Sequence, residues 1–496
     1  MVEALIIISI ISALIWLPLL MHQMIHRGLL VLVIWLSVGP VISNLVEDPG
    51  RNPLFPPSTF VEDDEQQLNR KERRVDGYFA QSETIKVREL LEPTRLLFGL
   101  FFVTFLGHSL IRDRRLFSLD RTEIWMLVFS LLVLANVILF SRRLAFSARI
   151  AVDAFIVPFL AYSTARRFVL DEDRLNQFIR VMAYFGCFLI VVCLIERFVH
   201  PTLLHRVQGP FKTRDYLYVA LMVIFFSVAI EAFLSWSKRQ HTVLPRWVHI
   251  CVLVGSPIVI ALTLTRGNWV GFLTALWMVG LLGRKLLVRR QKLAIVGLII
   301  GLLPIVLIGT QELLQTSLLG ERASKVETIE TRIRTYALVA EAAGKNPLFG
   351  IGLNNVRDYL REQSAFVHGK ILGTAHNSYL AILAELGIFS LLAYLGIMWS
   401  MYRVGFRIFC MKGDFTARSR GMGAMAMLTA YLVPGLFTHL VYGQLFAHIY
   451  LFACLGAIVG RYGSPQLRTT RIPVPVEIKV LSPGLIAAND EVFRQR

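Results

Sequence analysis

The sequence is short of charge. Only 17% of its 496 residues are Asp, Glu, Lys or Arg, where a soluble domain carries roughly a quarter, and the shortfall excludes a cytosolic enzyme. Cysteine is scarce too. Cys187, Cys193, Cys251, Cys410 and Cys454 are odd in number, form no C-x-x-C pair and mostly lie inside apolar runs, so neither a disulfide framework nor a zinc site is expected. Acidic charge is the scarcer sign, leaving a formal net charge of +18. What the chain has is apolar surface: 55% hydrophobic residues, 33 phenylalanines and a mean hydropathy of +0.58. These place it in a bilayer. The excess Lys and Arg form short collars between apolar runs, and such collars follow topology and anionic headgroups rather than nucleic acid.

Apolar runs long enough to cross a membrane fall near 4–20, 28–46, 96–112, 124–141, 148–164, 180–198, 216–236, 247–264, 269–287, 293–310, 377–402, 422–441 and 443–461. The expected fold is therefore all-α: a polytopic membrane bundle of about 12–13 transmembrane helices. The first run has Glu3 before it, no basic n-region and no small-residue cleavage site, which reads as a retained span. Arg284, Lys285, Arg289, Arg290 and Lys292 fill one short connection and Arg403, Arg407, Lys412, Arg418 and Arg420 another, so both are expected to face the cytoplasm. Alternation then puts the polar segment 311–376 and the Thr265–Asn268 junction outside. Arginines on nearly every N-terminal connection, including Arg142-Arg143 and Arg166-Arg167, leave the side of the N-terminus open.

Two long polar insertions interrupt the spans. The first, 47–95, runs from a Pro-rich start through acidic and then basic blocks and reads as a solvated or interfacial face. The second, 311–376, contains Ile329, Ile333, Tyr336, Ala340 and Ala343 at helical spacing, which predicts an amphipathic helix ended by Gly344 and Asn346-Pro347. The expected organisation is N-terminal spans over 1–204, a membrane domain with its extracytoplasmic loop over 205–461, and a cytoplasmic tail over 462–496.

Several generic signatures fail on spacing. Gly344-Lys345-Asn346 lacks the rest of a P-loop, and Gly350-x-Gly352 and Gly421-x-Gly423 read as turn or packing glycines. Asp171-Glu172-Asp173 reads as a helix-start cluster rather than a metal site.

The polar residues that remain converge on the expected outer face. Arg266 stands between two closely spaced spans, either as a site residue or as a snorkelling anchor beside Trp269. Arg332 lies one turn before Tyr336 and shares its face, with Arg334 rotated away. His376 opens a run descending into a span, placed to exchange a proton near neutrality or, with Asn377, simply to satisfy the helix N-terminus. Glu385 lies about 13 Å further along, on nearly the opposite side, and is expected to bond neighbouring spans.

The H-N-x-x-L-x-x-x-x-E-x-G run at 376–387, the Arg332-x-x-x-Tyr336 helix followed by Pro347-Leu348-Phe349-Gly350-Ile351-Gly352, and Thr265-Arg266-Gly267 resemble, in their order, the O-antigen ligase and polymerase superfamily. Tyr336 departs from that pattern, since many members carry Trp there, and the insertion at 47–95 is larger than usual. The resemblance implies a GT-C-like membrane glycosyltransferase that moves a glycan from undecaprenyl pyrophosphate to an acceptor hydroxyl on the extracytoplasmic face of a bacterial inner membrane. It further implies His376 as the catalytic residue, Arg266 and Arg332 on the pyrophosphate, and Asn377, Glu385 and Tyr336 in support, with no metal or cofactor. Expected partners are the lipid-linked glycan donor, a glycan or lipid acceptor and membrane lipids, with no nucleic acid. A ligase is slightly favoured over a repeat-unit polymerase. A lipid-linked glycan transporter or flippase is the alternative of another class, disfavoured because the two halves show no self-similarity.

Overall fold

A computed structural model of the chain describes residues 119–199, 207–210, 214–238, 243–263, 265–286, 296–297, 324–363, 375–438, 440 and 445–463. The runs at 4–20, 28–46 and 96–112, most of that at 293–310, the insertion 47–95 and the tail from 464 lie outside these. Every regular element among the described residues is helical. Helix α1 (Arg121–Phe140) opens on a capping box, in which Asp120 accepts from the Glu123 amide and Glu123 reaches back to the Asp120 amide, securing two orphan donors. Helix α2 (Leu144–Phe168) carries a π-turn at Val152–Ile156 immediately before Pro158. A widened turn lets the helix run past a residue with no N–H to give. Then follow α3 (Glu172–Val199), α4 (Arg214–Lys238), α5 (Arg246–Leu262), α6 (Arg266–Leu282), α7 (Ser324–Lys345), α8 (Asn355–Gln363), α9 (Ser378–Phe409), α10 (Phe415–Leu432) and α11 (Leu445–Tyr462).

Five of these, α1, α2, α3, α4 up to Ser235, and α9, are long and apolar enough to cross a bilayer, and α5 and α11 are shorter apolar helices. The protein is a helical, multi-pass membrane protein. Burial orders the helices from centre to rim: the apolar stretch of α4 is 94% buried and that of α1 33%. On α1 the outward residues are Ile138 and Leu139, apolar side chains that belong against lipid.

Successive long helices run in opposite directions, α2 and α11 lie side by side in the same direction with Gly456 against Tyr162 and Gly460 against Arg166, and polar contacts mark the two ends. At one end Ser147 Oγ donates to the Leu353 carbonyl, Val207 N to the Leu262 carbonyl and Ser378 Oγ to the Thr438 carbonyl. Arg142 pairs with Glu362 and Arg143 with Asp358 at 3.5 Å. At the opposite end Arg166 and Arg167 pair with Glu123, and Arg420 with Glu231 and Glu172. Glu172 also accepts from Tyr462 Oη and Arg461 Nε, so this acidic segment holds helix ends together. All five cysteines are free thiols.

The amphipathic helix exists, and its inner face keeps Ala343 and the half-buried Tyr336 of the expected stripe but is otherwise rotated from it. Ile333 is 63% exposed and Ala340 is exposed, while the side chain of Ile329 lies outside the described residues. The buried stripe is Thr335, Val339, Ala342 and Ala343. Val339, Ala342 and Ala343 pack with Val356, Tyr359 and Leu360 of α8 and with Ala375, Ala381 and Ala384. Alanine facing alanine lets α7 approach the first turns of α9 closely, and close approach outweighs burying one isoleucine.

Candidate functional site

Helix α9 is two helices end to end. Gly387 breaks it at φ 79°, ψ 178°, a region essentially closed to any residue with a Cβ. A break frees backbone groups that must find partners elsewhere, and the segment 347–352 supplies them. Ile388 N donates to the Pro347 carbonyl (2.9 Å), Ile351 N to Ala384 O (2.9 Å) and Gly352 N to Glu385 O (3.0 Å). The approach is backbone on backbone. A Cβ on Gly387 would run into the Leu348 carbonyl, and one on Gly350, at φ +76°, into the Glu385 carbonyl. The glycines of this motif are thus turn and packing glycines.

Asn136, a buried polar residue on α1, clamps the junction from the other side. Its Nδ2 donates to Phe349 O (2.6 Å) and Glu385 O (3.0 Å), and its Oδ1 accepts from Leu353 N (2.9 Å). The buried Glu385 carboxylate accepts from Val356 N in the first turn of α8 at 3.2 Å, where a helix N-terminus favours negative charge. Glu385 therefore engages the loop helix rather than only the neighbouring spans.

This clamp fixes α7 and α8 over the start of α9, where the candidate residues lie. Asn377 is the N-cap of α9, its Oδ1 accepting from Tyr379 N (3.0 Å) and Leu380 N (2.9 Å). His376, just before the cap, adopts the left-handed region at φ 48°, uncommon for a residue with a side chain. Tyr336 Oη donates to the His376 carbonyl at 3.3 Å, so α7 touches the histidine directly. His376 stands open at this end while the chain around it still crowds the ring. That partial desolvation, and then the positive charge of Arg332, hold its pKa below the usual histidine range. Arg332 and Arg334 are both exposed, and of the two Arg332 acts on His376.

Arg266 is the exposed first residue of α6. Next to it, a Cβ on Gly267 would lie 3.2 Å from Thr438 and 3.3 Å from Phe437. The Thr438 carbonyl accepts from Ser378 Oγ at 3.0 Å, which brings the Arg266 turn to the same end as His376, two residues from Ser378. Trp269 is no interfacial partner for Arg266, being buried with its Nε1 donating to Ile260 O at 3.0 Å. Asn268, wholly buried, donates to Asp215 Oδ1 at 3.1 Å and ties the start of α6 to that of α4. Neither Arg266 nor Arg332 has an ion-pair partner among the described residues. Two guanidiniums without an ion-pair partner among the described residues, and a histidine whose pKa is lowered, can receive an anion and take a proton.

Sequence reasoning passed over Asn136, Asp215, Asn268 and Ser378. Asn136 carried a signal, as the lone amide inside the apolar run of α1, because polar side chains within spans seldom go unused.

Residues 250–395 match the family model described as O-antigen ligase. No curated protein matches the chain. The matched segment runs from α5 into α9 and takes in Arg266, Arg332, Tyr336, His376, Asn377 and Glu385, with Asn136 outside it. Over residues 250–395 the chain is thus similar to the O-antigen ligase and polymerase superfamily.

Proposed function

We propose that the protein is an inverting, metal-independent glycosyltransferase that moves a glycan from undecaprenyl pyrophosphate to an acceptor hydroxyl at the extracytoplasmic face of a bacterial inner membrane. The observation that carries this reading is the convergence, at one end of the bundle, of His376 with Arg332, Tyr336 and the Arg266 turn. The end that carries α7 and α8 is taken as extracytoplasmic because the arginine-rich connections after α6 and α9 lie at the other.

In the proposed reaction neutral His376 accepts the proton of the acceptor hydroxyl. The hydroxyl oxygen forms the new bond to the anomeric carbon as the bond to the pyrophosphate oxygen breaks on the opposite face. The departing pyrophosphate gains a full negative charge. Arg266 and Arg332, charged at any working pH, meet it with bidentate donors in the place a divalent cation takes in other transferases. The imidazolium then returns its proton to water. A histidine held below its usual pKa starts in the required neutral form. Asn377, Glu385 and Tyr336 position these groups: Asn377 caps the helix, Glu385 anchors α8, and Tyr336 holds the His376 backbone.

A ligase is slightly favoured over a polymerase because the His376-Asn377 helix and the long loop before it fit that label best. The test is the length distribution of undecaprenyl-pyrophosphate-linked glycans in cells with and without the protein. Long lipid-linked chains with none on the acceptor identify a ligase, and accumulated single repeat units a polymerase. No change in either pool would sink both and favour a transporter.

A further inference from the structure

At the end of the bundle opposite His376, a cavity of about 490 Å³ opens between the start of α1 and the last turns of α9. We propose that it binds the headgroup of an anionic phospholipid. Three arginines line it, Arg121, Arg403 and Arg407. A hydrogen bond between Thr122 Oγ1 and Ser400 Oγ, 2.8 Å long, sets Arg121 level with Ser400. Arg403 and Arg407 follow at helical spacing, one turn apart on one face.

All three guanidiniums are exposed, and none has a hydrogen bond, ion pair or ring contact with any described residue. At the same end Arg166 and Arg167 are answered by Glu123 and Arg420 by Glu231. The acid in the lining, Asp120, is already committed to the Glu123 amide at 2.7 Å, to Arg166 Nε at 3.1 Å and to Tyr162 Oη at 3.3 Å. The cavity therefore presents uncompensated positive charge suited to bidentate contact with phosphate oxygens.

Its surroundings favour a lipid as the source of that phosphate. The charged rim is flanked by Leu119, Val404 and Val459, which suit a glycerol backbone and the first methylenes of acyl chains. Trp125 and Trp399, 41% and 66% exposed, sit about one turn further into the bundle, where aromatic residues mark the boundary between headgroups and hydrocarbon. Basic pockets between spans at that level recognise anionic headgroups. The site shares no residue with the proposed active site, so it stands whether or not that reading does.

The test is native mass spectrometry of the full-length protein released from mild detergent, with phosphatidylglycerol and phosphatidylcholine of identical acyl chains supplied in equal amounts. The expected result is preferential retention of phosphatidylglycerol by about tenfold or more, lost when Arg121, Arg403 and Arg407 are all changed to Gln. The Arg403→Lys, Arg407→Lys variant, which keeps the charge, should retain most of the preference and separates binding from misfolding. Equal retention of the two lipids, or a preference untouched by the Gln substitutions, overturns the proposal. So does displacement of phosphatidylglycerol by millimolar inorganic phosphate alone, which would make the cavity a general anion site.

Discussion

The Asn136 amide donates to the carbonyl oxygen of Glu385 across 3.0 Å, at the point where Gly387 breaks α9 and the helix cannot use that oxygen itself. One side chain on a lipid-facing helix thus completes a hydrogen-bond set begun by Gly352 N, and with it fixes the loop helices over His376. Asn136→Ala leaves Leu353 N and the Phe349 carbonyl without this partner, at a cost of about 2 kcal/mol. The expected outcome is a lower thermal midpoint for the solubilised protein together with reduced transfer. Asn136→Asp should do no better, since a carboxylate would oppose two carbonyls. Wild-type melting of both variants would show that the clamp contributes nothing.

Gly387 allows a sharper test of the same junction. Alanine there must leave the φ 79°, ψ 178° conformation, worth about 1–3 kcal/mol of strain, and displace the Leu348 carbonyl. Segment 347–352 would lose its seat and α7 its registry with α9. Limited trypsin digestion of Gly387→Ala should therefore cut faster after Lys345 and Arg357 than in the wild type, and an unchanged digestion pattern would argue that the loop is held by other means.

Much of this was legible in the sequence, and what escaped had physical reasons. Five of the apolar runs announced helices long and apolar enough to span, because hydrocarbon requires length and composition, and motif glycines announced turns. Orientation from the N-terminal arginines was unreadable because those arginines are neutralised: Arg142 and Arg143 by Glu362 and Asp358 at one end, Arg166 and Arg167 by Glu123 at the other. Charges paired within the protein no longer report a headgroup layer. The inner face of α7 was misjudged because its partner surface is alanine, a residue that periodicity of large side chains undervalues. The partnership of Asn136 with residues more than 200 positions away has no local pattern to read.

The pH dependence follows from His376. Its pKa lies below the ordinary histidine value through partial desolvation and the Arg332 charge, and as the proposed base it must be neutral to act. The acid limb of transfer should consequently fall at lower pH than an unperturbed histidine would give. Arg332→Gln removes the neighbouring charge, raises the His376 pKa and should shift the acid limb of kcat/KM to higher pH as well as lowering its plateau. A plateau loss without movement of the limb would separate Arg332 from the histidine.

Arg266 provides the cleanest distinction between scaffold and chemistry. It is exposed at the first position of α6, and no described residue pairs with it, so the fold has little to lose when it is removed. If it holds pyrophosphate, Arg266→Ala forfeits a charge-assisted contact worth about 1.5–3 kcal/mol, or about 10–100-fold in transfer, while the thermal midpoint stays close to wild type. His376→Ala should likewise abolish transfer in a folded protein. Arg334→Ala should change little, because that exposed guanidinium does not act on His376. Substituting Lys for Arg266 keeps the charge and loses the bidentate fork, so partial activity is expected. Equal losses in Arg266→Ala and Arg334→Ala would mean that a diffuse positive surface, rather than two placed guanidiniums, attracts the donor.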